Sequence, residues 1–233
     1  MQIIKPGFAI EEGIDGLAIL RKIEKAGRTC YKSEDKITDE SAKKFVASLI
    51  KSGHEAMIEH HFVTVTFTVD RGVTHEIVRH RIASYAQEST RYCNYGKEKS
   101  GSEITVIDIR EIMEAEVGKT YKHPVNNEQI LVTAELVNYW ISEWLGAIED
   151  SERHYISLVN SGCPAQLARS VLLHSVKSDI VVTMDLREWR HFFRLRALGT
   201  TGKPHPQMVQ VAKPLLDEMK VQIPVVFDDL SYA

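Results

Sequence analysis

The chain has 233 residues, 43% hydrophobic and 26% charged, with a formal net charge of −3. That length and balance supply enough apolar material for a sizeable core. The slightly acidic total excludes a generic nucleic-acid or anionic-membrane surface, which shows as a basic domain. Three cysteines, Cys30, Cys93 and Cys163, stand without CxxC spacing, which disfavours a disulfide framework or a zinc knuckle.

MQIIKPGFAIEEG at the start has no basic region leading into a long apolar run, and no later stretch reads as a bilayer span. The expectation is a cytoplasmic chain, a single domain over residues 1–233, without repeats or linkers. Residues 17–30 and 38–53 read as helices, the second opening at Thr38 as N-cap with Ser41 behind it and closing at Gly53. HFVTVTFTVDRG (61–72) alternates Phe62, Thr64, Thr66 and Thr68 with Val63, Val65, Phe67 and Val69, the pattern of a half-buried strand.

Helical spacing then runs over 72–81, where Val73, Ile77 and His80 share a face, Arg79 projects away with His75 and Glu76, and Arg81 points in a third direction. Residues 103–109 and 178–184 read as strands, 127–161 as a long amphipathic helical region, and 186–198 and 205–220 as helices. Pro214 is expected to kink or break the last of these. Strands and helices do not alternate regularly, and neither GxGxxG nor a Walker loop is present. The fold class expected is α+β, with a mostly antiparallel sheet and several long helices.

On a helical wheel of 186–198, Trp189, Phe192 and Phe193 gather on one side, and Arg187, Arg190 and Arg194 gather opposite as a solvated face. Arg196 falls within the aromatic stripe. A guanidinium that stays charged needs an anionic or carbonyl partner there; a snorkelling stem, an internal salt bridge and a ligand role all meet that need. Arg169 repeats the problem among Ala165, Leu172 and Leu173.

RHRIASYAQESTRY (79–92) concentrates three arginines with a glutamine, two serines and a threonine against a single acid, Glu88. Cations at a helix C-terminus complement its dipole, which accounts for Arg79 and Arg81 but leaves Arg91 and the hydroxyls unexplained. Arginine with hydroxyl and backbone N–H donors is the usual chemistry of a phosphate site. Upstream, His54, Glu55, Glu59, His60 and His61 suggest a metal, yet GHEAMIEHH lacks the HExxH spacing of a zincin helix, and no metal is expected. No cysteine sits in a setting that activates a nucleophile.

Together these blocks resemble the flavin-dependent thymidylate synthases. Their signature of RHR, seven residues and Ser is matched by Arg79-His80-Arg81 and Ser89, while GHEAMIEH (53–60), LARSVL (167–172) and DLREWRHFFRLR (185–196) are similar to three other family segments in order. The resemblance spans 53–196. It implies an α+β homotetramer whose active sites are shared between subunits. Such an enzyme methylates dUMP to dTMP with FAD as cofactor, methylenetetrahydrofolate as carbon donor and NADPH as reductant. It further implies that FAD meets His54, Ala56, Arg79, His80, Arg81, Gln87, Asp185, Leu186, Arg187 and His191. For dUMP it implies Glu76, Ile77, Val78, Arg79, Gln87, Glu88, Ser89, Thr90, Arg91, Arg169 and Arg196, with Arg91 near the phosphate. Arg196 would lie against the uracil as the catalytic group. Ser89 would position substrate rather than attack it, having no evident base. Glu76 departs from a frequent Gln, Ala56 from a frequent hydroxyl residue, and Asp185 and His191 from frequent asparagines. Two readings from other classes are a non-catalytic nucleotide- or RNA-binding module using the same arginines, and a metal-dependent hydrolase built on His54–His61.

Overall fold

A computed structural model describes residues 1–93, 95 and 103–232. In chain order the elements are β1 (Gln2–Ile4), β2 (Gly7–Ile10), α1 (Gly16–Thr29), α2 (Ser41–Lys51), a 3₁₀ segment (Glu55–His60), β3 (Phe62–Asp70), α3 (Arg71–Ile77), β4 (Ala83–Gln87), β5 (Thr105–Ile107), α4 (Arg110–Glu114), β6 (Thr120–Lys122), β7 (Gln129–Leu131), α5 (Ala134–Asn160), α6 (Ala165–Ala168), β8 (Lys177–Asp185), α7 (Leu186–Arg196) and α8 (Pro206–Gln222). The class is α+β. No helix among the described residues is long and apolar enough to cross a membrane.

The chain divides into two compact units. One comprises Met1–Pro6, Val69–Gly72 and Glu88–Ser178. Its β1 pairs in parallel with β5, and β6 and β7 form an antiparallel hairpin. Helix α5 starts at Thr133, whose hydroxyl accepts the Leu136 N–H at 3.2 Å, the usual cap for an orphan first-turn donor. Ile104, Val106, Ile148, Tyr155, Ala168 and Val176 form its core.

The other unit comprises Gly7–Thr68, Val73–Gln87 and Asp179–Ala233. It carries most of a four-stranded sheet in the order β2-β3-β8-β4, with β2 on β3 and β4 on β8 antiparallel. The alternation in β3 behaves as the sequence predicts: Val63, Val65, Phe67 and Val69 are buried, whereas Phe62 is exposed. Helices α1 and α2 pack closely because position 27 is glycine; a Cβ there would meet the Phe45 ring at 2.7 Å. Gly53 ends the α2 region in the left-handed conformation (φ 70°) that favours glycine.

Four expectations change. Helix α2 begins at Ser41, not Thr38, because the Ser41 hydroxyl accepts the Thr38 N–H at 2.9 Å and turns to Glu24 at 2.9 Å, holding 38–40 as a turn. Helix α3 ends at Ile77, so Arg79, His80 and Arg81 lie beyond it in the turn to β4. The 127–161 helical reading loses its first residues to β7, since Gln129–Leu131 find ladder partners in Thr120–Lys122. Helix α8 continues through Pro214: the lost hydrogen bond is outweighed by an apolar stripe of Met208, Val211, Ala212, Leu215, Leu216 and Met219, all buried.

Candidate active site

The strand-to-helix junction β8–α7 organises the second unit. Asp185, the last residue of β8, is also the N-cap of α7, its carboxylate accepting the Glu188 N–H at 2.8 Å. Asp-Leu-Arg-Glu at 185–188 has the spacing of a capping box, with a cap and an acid three residues on. Trp189, Phe192 and Phe193 fill the core below, and the Trp189 indole donates to the Val63 carbonyl at 3.0 Å. Glu188 is thereby set facing the turn after α3.

Three links converge there. His80 is buried, its Nδ1 lies 3.3 Å from Glu188 Oε1, and its Nε2 accepts from Arg196 Nε at 3.1 Å. Because Arg196 only donates, Nε2 must be unprotonated and Nδ1 must carry the proton toward Glu188. Arg196 also donates from Nη1 to the Glu76 carboxylate at 2.9 Å and from Nη2 to the Glu76 carbonyl at 3.1 Å. The partner that the aromatic stripe demanded is thus Glu76 together with His80. Burial, the Arg196 charge and the nearby His191 push the His80 imidazole down to about 4. Burial and Asp185 hold the Glu188 carboxyl above its ordinary value.

Tyr85 on β4 fixes this turn by donating to the carbonyls of Ile77, at 3.0 Å, and of His80. Burial pushes its phenol up to about 12, so it remains a donor. Gln87 donates to Thr74 at 3.0 Å and ties β4 to α3.

Two recesses open beside this chain of hydrogen bonds. An acidic recess of about 480 Å³ is lined by Glu55, Glu59, Asp185, Glu188 and His191 with Arg187, Arg194 and Ile82. An arginine recess of about 760 Å³ is lined by Arg79, Arg81 and Arg196 with His75 and Glu76. Arg79 and Arg81 are exposed, and neither side chain has an ionic partner among the described residues.

The remaining candidate positions divide. His54 and Ala56 are exposed at the start of the 3₁₀ segment, and Arg187 and His191 are exposed on α7. Arg187 reaches Glu59 at 2.5 Å. Ile77 and Leu186 are wholly buried, so any ligand contact they make is through the backbone, and the Leu186 N–H is already given to the His61 carbonyl at 3.0 Å. Val78 is exposed.

In the first unit, Ser89–Arg91 form a turn in which the Ser89 hydroxyl accepts the Arg91 N–H at 3.3 Å. Thr90 is buried and accepts from Arg169 at 3.3 Å, while Arg91 Nε donates to Gln166 at 3.3 Å. Two exposed guanidinium groups are therefore tethered to one small patch. The sequence reading of Arg169 as apolar-buried is corrected: α6 ends at Ala168, and Arg169 turns outward at the start of a 3₁₀ turn. Glu88 is engaged elsewhere, by Lys177 at 2.8 Å and by the Tyr95 hydroxyl at 3.1 Å.

The solvated reading of Arg190 is also overturned. It is wholly buried, with Nη1 and Nη2 on Asp229 at 2.6 and 2.8 Å, Nε on Glu55 at 3.0 Å and Nη1 also on the Val226 carbonyl. Glu55 additionally pairs with Arg194 at 3.0 Å, and these cations hold its carboxyl below the ordinary range against burial. Nothing local in the sequence announces these partners, which lie far away along the chain.

These pairings weigh against a metal at His54–His61, because Glu55 and Glu59 are taken by arginines. His80, Glu188 and His191 place ligand atoms within 4.8 Å of one another. A metal on His80 Nδ1 would force the proton onto Nε2, where it would face the Arg196 N–H donor.

The family model described as thymidylate synthase complementing protein matches residues 18–225. The flavin-dependent thymidylate synthase of Corynebacterium aurimucosum is 34% identical over 230 residues, 95% of this chain and 83% of that protein. That of Pyrococcus furiosus is 32% identical over 83% of this chain and 68% of that protein. A solved UMP/dUMP methylase from Streptomyces cacaoi, bound with 5-Br UMP, shares the fold with a TM-score of 0.75 at 19% identity, covering 98% of this chain and 95% of that one. The matched segments include every block that forms the two recesses, and on this evidence the chain belongs to the flavin-dependent thymidylate synthase family.

Proposed function

We propose that this protein methylates dUMP to dTMP, with FAD as cofactor, methylenetetrahydrofolate as carbon donor and NADPH as reductant. The observation that carries the proposal is Arg196, a charged side chain anchored by Glu76 and His80 at the wall of a recess that also presents Arg79 and Arg81, cations without an ionic partner among the described residues. Such a donor set fits a large anionic cofactor and a nucleotide. Forked guanidinium groups match phosphate oxygens, and a preorganised cation stabilises negative charge developing on a ring.

In this reading Arg79, Arg81, His80, the backbone at His54–Ala56 and Leu186, and the side chains of Gln87, Asp185, Arg187 and His191 hold FAD. FAD held by these residues would supply the hydride chemistry, with NADPH as its reductant. Residues 76–79, 87–91, Arg169 and Arg196 hold dUMP, with Arg91 and Arg169 on the phosphate and Arg196 on the pyrimidine. Ser89 positions substrate. Its hydroxyl has no carboxylate or imidazole hydrogen-bonded to it among the described residues, so nothing there activates it as a nucleophile. The names of the relatives and of the Streptomyces enzyme support the substrate class. The resemblance adds a homotetramer with shared sites, which light scattering on purified protein tests, and the cytoplasmic location expected from the sequence is tested by localisation.

Purified protein is expected to be yellow, with flavin absorbance, and to release tritium from 5-tritiated dUMP only when NADPH and methylenetetrahydrofolate are supplied. A colourless protein without flavin affinity overturns the reading. Arg196→Ala is expected to abolish turnover while much FAD binding survives.

A further inference from the structure

The two recesses of the second unit are joined by one unbroken chain of side chains. Glu76 and Arg196 line the arginine recess, Glu188 and His191 line the acidic recess, and the buried His80 lies between Arg196 and Glu188 while lining neither. The directions of its hydrogen bonds are forced. Arg196 Nε can only donate, so His80 Nε2 accepts, and His80 Nδ1–H points at Glu188.

That arrangement has one alternative. If His80 took a second proton, at Nε2, two N–H donors would oppose each other 3.1 Å apart. Arg196 would have to turn its Nε away. Conversely, an anionic ligand that draws Arg196 out into the arginine recess leaves Nε2 without a donor and removes a cation from beside the imidazole. The ring then keeps Glu188 on Nδ1, a carboxylate that favours its charged form, opposed by burial and His191.

The groups that bias the choice come from each element around the ring. Helix α7 supplies Glu188, Arg196 and His191, whose ring is 5.5 Å from that of His80. From β4 comes the Tyr85 hydroxyl on the His80 carbonyl, and from α3 comes Glu76, acting through Arg196. Asp185 acts on Glu188 from the N-cap. Glu76 is the carboxylate with which an incoming anion competes for Arg196.

We propose that His80 is a proton-linked coupler between the two recesses: an anion that withdraws Arg196 into the arginine recess brings one proton from solvent onto His80 Nε2, and the imidazolium presents a positive charge to Glu188 and the acidic recess. The balance is one proton taken up and no covalent bond broken. Coupling of this kind is reciprocal, so a negative ligand charge in the acidic recess, by favouring the imidazolium, tightens anion binding at Arg196. With the nucleotide and flavin as occupants, the inference rests on the proposed thymidylate synthase reading; the two-state behaviour of Arg196 and His80 does not. The strongly lowered proton affinity of His80 in the ligand-free arrangement agrees with it.

The experiment is ring-¹⁵N histidine NMR with pH titration on the full-length protein, in two arms. Without ligand, the wild type is expected to show His80 neutral, with Nδ1 protonated, down to about pH 5. In Arg196→Gln its titration is expected to move up, while burial and His191 keep it below the ordinary histidine value. Identical His80 titration in the two proteins overturns the coupling, as does a wild-type imidazole already doubly protonated at neutral pH. In the second arm, dUMP is added to flavin-loaded wild type at about pH 6. A larger doubly protonated fraction of His80 than in the ligand-free protein is expected, with net proton uptake on binding by calorimetry in two buffers of different ionisation enthalpy. Bound dUMP with His80 still neutral overturns the coupling. Failure of dUMP and FAD to bind, with the first arm as expected, overturns the functional reading and leaves the Arg196–His80 switch supported.

Discussion

Arg190 and Asp229 form a two-pronged ion pair, Nη1 to Oδ1 at 2.6 Å and Nη2 to Oδ2 at 2.8 Å, between a wholly buried guanidinium and a half-exposed carboxylate near the end of the chain. With Glu55 on the other side of the same guanidinium, it fastens the C-terminal residues and the 3₁₀ segment to α7. Losing one partner of a buried pair leaves its charge under-solvated. Asp229→Ala is expected to cost about 2 kcal/mol, less than for a fully buried pair because Glu55 remains and Asp229 meets solvent. Urea denaturation read by tryptophan fluorescence measures it; a midpoint unchanged from wild type would show the pair to be dispensable.

Stability is expected to fall on mild acidification. The folded-state proton affinity of His80 is lowered from the ordinary 6.5 to about 4, so its contribution is fully present above pH 6.5 and is lost as pH falls through that window toward 4. At 1.36 kcal/mol per unit the whole window corresponds to roughly 3 kcal/mol. Glu188, raised in the fold, works in the opposite sense, stabilising at low pH and losing that contribution as pH rises. Comparing unfolding free energies of wild type and His80→Gln between about pH 5 and 7 checks the sign: the wild-type slope should be the steeper.

Tyr85→Phe removes the single hydroxyl that serves the carbonyls of Ile77 and His80. A loss of about 1 kcal/mol in stability is expected, together with weaker flavin retention, because the turn presenting Arg79 and Arg81 loses its strut. Equilibrium dialysis of FAD against both proteins reads the second effect. Equal affinity would show that the turn holds its shape without Tyr85.

Arg169→Ala tests the patch of the first unit. Arg169 is exposed and, among the described residues, its side chain is tethered only to Thr90 at 3.3 Å, so stability should hardly change. KM for dUMP should rise about tenfold, equivalent to about 1.4 kcal/mol of binding, because a charge-assisted contact to phosphate is lost. Steady-state kinetics decide it; an unaltered KM removes Arg169 from the nucleotide site.

The sequence by itself determined the features that depend on neighbours a few positions apart. The alternation at 62–69 sets the buried face of β3, Gly53 ends the second helix region, and the aromatic stripe of 189–193 sets the inward face of α7. The clustering of Arg79, Arg81, Ser89, Thr90 and Arg91 likewise singled out a candidate ligand-binding stretch, because so many unbalanced donors in one segment need a partner. The tertiary structure alone decided which charges are satisfied from within. Arg190 on the helical wheel looks like Arg187 and Arg194, yet only Arg190 meets Asp229, 39 residues away. Arg169 looks apolar-bound but is outside, because its helix stops one residue earlier. Glu76, a departure in the family pattern, acquires a meaning only when Arg196 arrives 120 residues later and takes His80 as its second acceptor. Periodicity records which face of an element is apolar, a local property of side chains on one backbone. The cost of burying a charge depends on where the opposite charge arrives, and only the folded chain sets that distance.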